Sequence, residues 1–304
     1  MNTKIHAILR FVKQEMILYP YFFVMNTIIR EQSPTVEVKS IEETINTIVE
    51  NNLSVSRYGD GEYSWMVGIK QNSFQDYSVE MKERLVEIIT TSFPKHIVCI
   101  SDAFGCLKEY NRFAKRFWME FMVYNRRHWI SLLDLNKIYY NTNMTRLYID
   151  YKDKSKSKER FDLIKKLWKD RDLLIVEGIK TRLGVGNDLF DGAKRVRRIL
   201  APATNAFDRY GGILAKTCEV EKDVLIILAL GPTATIMSYD LAKKGYQAID
   251  IGHVDIEYEW LHMGAKKKIP VENKYVNEAA DLSGVDIKEL EDEKYNSQII
   301  GRVL

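Results

Sequence analysis

Cysteine is scarce: Cys99, Cys106 and Cys218 are the only three in 304 residues, with no C-x-x-C pair and no histidine at zinc-ligand spacing. An odd, unpaired set excludes a disulfide scaffold and a structural zinc site, and it fits the reduced thiols of a cytoplasmic protein. With 6 prolines and 16 glycines the chain is neither collagen-like nor low-complexity. It also has no polybasic run, and 45 Lys+Arg against 42 Asp+Glu leave a formal charge of only +3. The electrostatic footprint of a nucleic-acid binder is therefore missing. No apolar run reaches the roughly 20 residues that a membrane span needs. The longest uncharged stretch, residues 16–29 (MILYPYFFVMNTII), is shorter, is interrupted by Pro20, and is not followed by the small-residue cleavage site of a signal peptide. Walker A, G-x-S-x-G and H-E-x-x-H patterns are all absent, which removes the P-loop, hydrolase-elbow and zincin readings.

What remains is a globular composition, 46% apolar and 29% charged. A chain of this length can take about three quarters of its unfolded surface out of water. Short β-branched or aliphatic runs alternate with amphipathic segments of about ten residues. IVCIS (97–101), LLIV (173–176), VLIILAL (224–230) and QAIDI (247–251) read as strands, as does the weaker 146–149. Helical spacing appears at 41–50, 79–90, 113–124, 158–168 and 235–244, the first with a capping box formed by Ser40 and Glu43. Uninterrupted apolar strands alternating with helices predict an α/β fold whose mostly parallel sheet is covered on both faces. Residues 36–275 form the main domain. Residues 1–35 are expected to be a helical arm, packed on the body or a second subunit in a homo-oligomer, or lying on a membrane surface. Residues 276–304 are expected to be a helical tail, with its helix around 285–295.

Ligands of such a sheet bind beyond the carboxyl ends of the strands, so the loops there carry the chemistry. Arg57-Tyr58-Gly59-Asp60-Gly61-Glu62 combines two glycines with a D-x-E carboxylate pair, a pattern suited to Mg2+ or Mn2+ shared with a phosphate, and equally to a plain turn. Glu177-Gly178 and Thr181–Asp188 supply Arg182, Gly184, Asn187 and Asp188 for phosphate, ribose or base contacts, or form a surface loop. Gly231-Pro232-Thr233-Ala234-Thr235 joins a strand to a helix and can offer a diphosphate its free N–H groups, or serve as an ordinary capped strand-to-helix turn. The segment from Gly252 to Trp260 concentrates His253, Asp255, Glu257 and Glu259, candidates for proton transfer whether the backbone is extended or helical, or else a solvated rim.

Taken together, RYGDGE, EGIKTRLGVGNDLF and LGPTATIMSYDLAKKGYQAIDIGHVDIEYEW resemble the bacterial GT-D-type glycosyltransferases over roughly residues 40–270. The resemblance implies a Rossmann-like sheet and a hexosyltransferase that uses a nucleotide-sugar donor. It also implies that Asp60 and Glu62 serve the metal, Mn2+ or Mg2+, and the diphosphate. A UDP-sugar donor and a glycan acceptor on a surface glycoprotein or cell-envelope polysaccharide are the expected substrates. Arg57, Gly59, Glu177, Arg182, Gly184, Asn187, Asp188, Gly231, Thr233 and Thr235 are then the donor-side candidates. His253, Asp255 and Glu257 are the catalytic candidates on the acceptor side. A cytoplasmic location, at the inner face of the membrane if the arm binds there, follows. A nucleotide-binding regulatory or scaffold protein and a metal-dependent phosphohydrolase are the competing readings.

Overall fold

A computed structural model describes residues 6, 9, 12–69, 75–275 and 292–304. Its strands are β1 (Ser54–Arg57), β2 (His96–Ile100), β3 (Tyr140–Asn141), β4 (Asp172–Gly178), β5 (Arg195–Ala201), β6 (Leu225–Ala229), β7 (Gln247–Asp250) and β8 (Ile299–Arg302). They form one sheet in the order β3-β2-β1-β7-β6-β4-β5-β8, and every pairing is parallel. The helices are α1 (Tyr19–Glu31), α2 (Ile41–Asn51), α3 (Asp60–Met66), α4 (Val79–Thr90), α5 (Arg112–Ser131), α6 (Ser157–Lys165), α7 (Tyr210–Thr217), α8 (Pro232–Lys243), α9 (Val254–His262) and α10 (Glu293–Gln298).

The uninterrupted apolar runs have a direct cause. Along β4, Leu173 and Ile175 enter one core while Leu174 and Val176 enter the other, and β6 divides in the same way, so neither face can be polar. Helix α8 is buried from Pro232 to Ala242 and lies close against β1 and β7. Small hydroxyl side chains tie the helix to the strands. Ser56 Oγ donates to the Thr235 carbonyl at 2.6 Å, and Ser238 Oγ reaches the carbonyls of Val55 and Ala248 at 2.7 and 2.9 Å. The capping box of α2 is present, with Glu43 N–H donating to Ser40 Oγ and Ser40 N–H to Glu43 Oε2.

The chain lays down β1, β2 and β3 toward one edge, then crosses and returns toward β1 through β6 and β7. The strand order therefore reverses between β1 and β7, and the loops leaving these two strands diverge around a crevice. Two expectations change. Residues 146–149 are not a strand; the strand falls at β3, because the N–H groups of Tyr148 and Ile149 are both taken by the Glu257 carboxylate instead of a neighbouring strand. The tail carries a short helix, α10, and then an extended segment, β8, that adds to the sheet edge beside β5. Most of the 285–295 helix expected there lies outside the described residues.

Before residue 35, a π-helical turn (Lys13–Leu18) runs into α1, which packs Phe22 and Asn26 onto α5. Among the described residues no helix is long and apolar enough to cross a membrane.

Candidate active site

A cavity of about 720 Å3 opens at the carboxyl ends of the strands, above the β1/β7 reversal. The β1 turn (Arg57, Gly59–Glu62), the β6 turn (Leu230, Gly231) and the β7 turn (Gly252, His253, Asp255, Ile256) all line it. Segments after β3 (Thr142, Asn143, Arg146, Asp150), β4 (Gly178, Thr181, Leu183) and β5 (Pro202–Thr204, Ala206) complete the wall.

The β1 turn is the start of α3. Gly59 is its N-cap, and the Glu62 carboxylate reaches back to accept the Gly59 N–H at 2.8 Å. Asp60, at the first helical position, is exposed at the rim, while Glu62 is half-buried. Desolvation raises the Glu62 carboxyl to about 7, and the nearby negative charge of Asp250 adds to the effect. Arg57 is a brace across the switch point. Its Nε donates to the Asp250 carbonyl at 2.9 Å, its Nη2 to Asp250 Oδ1 at 3.0 Å, and its Nη1 to Thr145 Oγ1 at 2.8 Å. Asp250 is buried, and burial raises its carboxyl against the pull of Arg57. Gly252 has φ +50, and a Cβ there would strike the Arg57 guanidinium, so any other residue would be strained and would have to displace that brace.

The other predicted positions divide. Gly231, at φ +58, caps α8 and lines the cavity, bringing the positive end of that helix to the same crevice as Asp60 and Glu62. Thr235 sits behind it, with its hydroxyl directed at the Arg57 carbonyl (3.0 Å) and Asp250 Oδ2 (3.2 Å). Thr233 is fully buried, and its Oγ1 has no hydrogen-bond partner among the described residues. From the β4 loop, Thr181 and Leu183 face the cavity, whereas Glu177 lies beneath, paired to Arg198 Nη1 at 2.6 Å and accepting the Leu183 N–H at 2.7 Å. Arg182 is buried, donating to the Asn273 carbonyl at 3.0 Å. Gly184, Asn187 and Asp188 border a second depression farther along the loop. Asn187 Nδ2 bonds Asp255 Oδ1 at 2.8 Å, and Asp188 accepts from Tyr258 and Lys165.

The acidic segment after β7 is helical, as α9. His253 caps it and lines the cavity. Asp255 lines it too, but it is buried and ion-paired to Lys274 at 2.7 Å; burial raises its carboxyl against that partner. Glu257 does not line the cavity. It is fully buried, one oxygen accepting the N–H groups of Tyr148 and Ile149 at 2.9 Å each, and burial raises its carboxyl to about 7. It thereby fixes the segment that carries Arg146 and Asp150 to the wall.

Several cavity or support residues were not singled out by sequence reasoning. Lys274 joins Asp255 and Glu259 from a lysine-rich stretch that gave no signal. Asp102 holds Asn141, Asn143 and Tyr110 under the wall. Trp65 from α3 and Phe113, Phe117 and Trp118 from α5 form an aromatic side of the cavity, which helical periodicity in α5 did not distinguish from core.

Whether a divalent cation fits can be judged from the donors. Among the described residues no three His, Cys, Asp or Glu side chains group closely enough to hold a metal alone. Asp250 is engaged by Arg57, and Glu62 has one oxygen committed to Gly59. Asp60 and the remaining capacity of Glu62 suit a hard cation only if substrate phosphate oxygens complete its shell, which is the usual Mg2+ or Mn2+ arrangement.

The described fold and sequence have close counterparts. Residues 55–279 match the family described as Glycosyltransferase GT-D fold. A Streptococcus pneumoniae serotype 4 protein, Glycosyltransferase GlyD, is 40% identical over 270 residues, which is 88% of this chain and 33% of that protein. A probable glycosyl transferase, Gly, from Streptococcus gordonii is 39% identical over 271 residues, 88% of this chain and 39% of that protein. The chain thus spans between a third and two fifths of the length of these curated relatives. A solved structure described as the highly conserved domain of unknown function 1792, with a distinct glycosyltransferase fold, superposes with a TM-score of 0.84 at 39% identity, covering 92% of this chain and 99% of that one. Another, a new glycosyltransferase from Streptococcus sanguinis, gives 0.83 at 38% identity, covering 88% and 100%.

Proposed function

The chain belongs to the glycosyltransferases of the GT-D fold, and from that premise we propose that it transfers a hexose, with a divalent cation, from a UDP-sugar to a glycan acceptor of a surface glycoprotein or cell-envelope polysaccharide. The observation that carries this reading is the convergence of the D-x-E turn after β1 and the Gly231 end of α8 on one crevice. A nucleotide diphosphate is the ligand that such a pair of groups answers: carboxylates for a cation on one side, a helix N-terminus for anionic oxygen on the other.

Transfer breaks the bond between the anomeric carbon and the diphosphate, so negative charge grows on the departing oxygen. Asp60 and Glu62 would hold a Mn2+ or Mg2+ ion, which would supply Lewis-acid stabilisation of that charge. The positive end of α8 at Gly231 lies where it adds to this stabilisation. Arg57 acts mainly by bracing: its guanidinium holds Asp250, Thr145 and the β7 turn in register, so that the β1 and β7 loops keep one geometry. His253 is the acceptor-side group in our reading, placed to take the proton of the attacking hydroxyl. Asp255, neutralised by Lys274, orients the start of α9, and Glu257 holds the 142–150 wall.

The test is a transfer assay with UDP-, GDP- and dTDP-sugars, with and without chelator. Metal-dependent sugar transfer from one donor supports the proposal. Nucleotide binding without turnover points to a regulatory or scaffold protein, and release of inorganic phosphate points to a phosphohydrolase.

A further inference from the structure

The arm leaves a whole helix face bare. Ile17, Tyr21, Val24 and Ile28 recur at three- and four-residue spacing, with Met16 (71% exposed) beside the first, and turn away from α5, onto which Phe22 packs. An exposed apolar strip of this length marks a binding surface. Its continuation is chemical as well as spatial. Phe113, 78% exposed on the first turn of α5, lines the cavity mouth, and the arm is fastened to that turn by the Glu15–Arg112 ion pair and by Arg116 Nη1 donating to Gln14 Oε1 at 3.2 Å.

The strip is edged by cations. Lys13, Arg30, Arg112, Lys115, Arg116 and Arg127 in the arm and α5 outnumber Glu15, Glu31 and Glu120, and Glu15 answers only Arg112 and Arg116. Lys115 Nζ lies 5.4 Å from the Phe23 ring centroid, and the Arg112 guanidinium 4.6 Å from that of Tyr19, so charge and aromatic surface are interleaved. An uncharged aliphatic and aromatic strip with a basic border, where among the described residues no helix is long and apolar enough to cross a bilayer, has the design of an interfacial helix. A second copy of the chain is a poorer occupant, because a two-fold pairing of this face would set its basic border against itself.

We propose that the arm and the first turns of α5 seat the protein on an anionic lipid surface, with the cavity mouth opening beside that surface. This proposal goes beyond the catalytic reading and stands without it; if both hold, the acceptor is one presented at the membrane.

The test is sedimentation of the full chain with phosphatidylcholine vesicles, alone or mixed with phosphatidylglycerol, alongside light scattering of the free protein. The wild type is expected to bind the mixed vesicles, to release them as salt is raised, and to bind phosphatidylcholine alone weakly. The double substitution Ile17→Glu with Val24→Glu should lower binding at least tenfold, and Lys13→Glu with Lys115→Glu should abolish the preference for the anionic lipid. Circular dichroism and melting temperature identify variants that remain folded. No binding to either vesicle, or equal binding to both, overturns the proposal. So does a wild-type dimer that the Ile17→Glu, Val24→Glu variant splits, since the strip would then be a subunit interface. Loss of transferase activity in a solution assay would bear on the catalytic reading alone.

Discussion

Gly252→Ala is expected to destabilise the fold by about 2.5–5 kcal/mol. The left-handed φ of +50 at this position accounts for about 1–2 kcal/mol once a Cβ is present. The remainder comes from Arg57: the new Cβ lies within 2.8 Å of its Cζ, so the guanidinium must leave. It cannot leave cheaply, because it is bonded to the carbonyl and carboxylate of Asp250 and to Thr145. Its departure strands a buried carboxylate, and hydrogen bonds to charged groups contribute about 1.5–3 kcal/mol. Gly186→Ala is the internal control, since φ there is +79 but nothing lies within 4 Å of its Cβ, and only the backbone strain of about 1–2 kcal/mol applies. Urea denaturation followed by far-ultraviolet circular dichroism separates the two, with unchanged m-values required for the comparison. Equal losses in the two variants would refute the claim that Arg57 braces the switch point.

Asp60→Ala is expected to abolish metal-dependent transfer while leaving the urea midpoint near that of the wild type, because the residue is exposed at the rim; turnover by the folded variant would remove its role. Burial raises the carboxyls of Glu62 and Glu257 from 4.5 to about 7, so between those values the folded chain retains protons that the unfolded chain has released. The stability tied to them is full below about 4.5 and is lost as pH rises through about 7. The contribution of Glu62 and Glu257 should therefore decline from about pH 5 to about pH 8, while His96, lowered by burial to about 3, works the other way up to its ordinary 6.5; the wild-type profile should fall more, or rise less, than that of Glu257→Gln across this range, and parallel profiles would contradict this. Glu257→Ala, which removes the oxygen that accepts the Tyr148 and Ile149 N–H groups and so frees the 142–150 wall, should lower turnover more than donor affinity; steady-state kinetics beside donor titration decides it. Lys274→Met leaves Asp255 and Glu259 without their shared cation and should cost about 3–5 kcal/mol in urea unfolding.

The sheet was legible because both its faces are covered. A strand buried on two sides cannot alternate, so LLIV and VLIILAL announce themselves, and the helices between them show on their buried stripes. Where that logic lapses, sequence reading fails. The two-residue β3 is too short to show a pattern, and β8 alternates half-buried with exposed residues at a sheet edge. The loops were legible to a different degree. Glycine, carboxylate and helix-cap chemistry placed Asp60, Glu62, Gly231 and His253 at strand ends, which the parallel topology gathers into one cavity. The same residue types also build supports. Glu177, Arg182, Asn187 and Glu257 are as polar as any ligand-binding side chain, and only three-dimensional packing shows that their partners are Arg198, the Asn273 carbonyl, Asp255 and the backbone of Tyr148 and Ile149. Lys274 and the Asp102 network escaped because their meaning lies wholly in contacts distant along the chain.

Calorimetric titration of UDP into the wild type and into Asp60→Ala, each with Mn2+ or with chelator, tests most directly whether the β1 and β6 turns grip one diphosphate through a cation. Binding that requires Mn2+ in the wild type and falls at least tenfold in Asp60→Ala is the predicted result. Equal UDP affinity in all four titrations would contradict it.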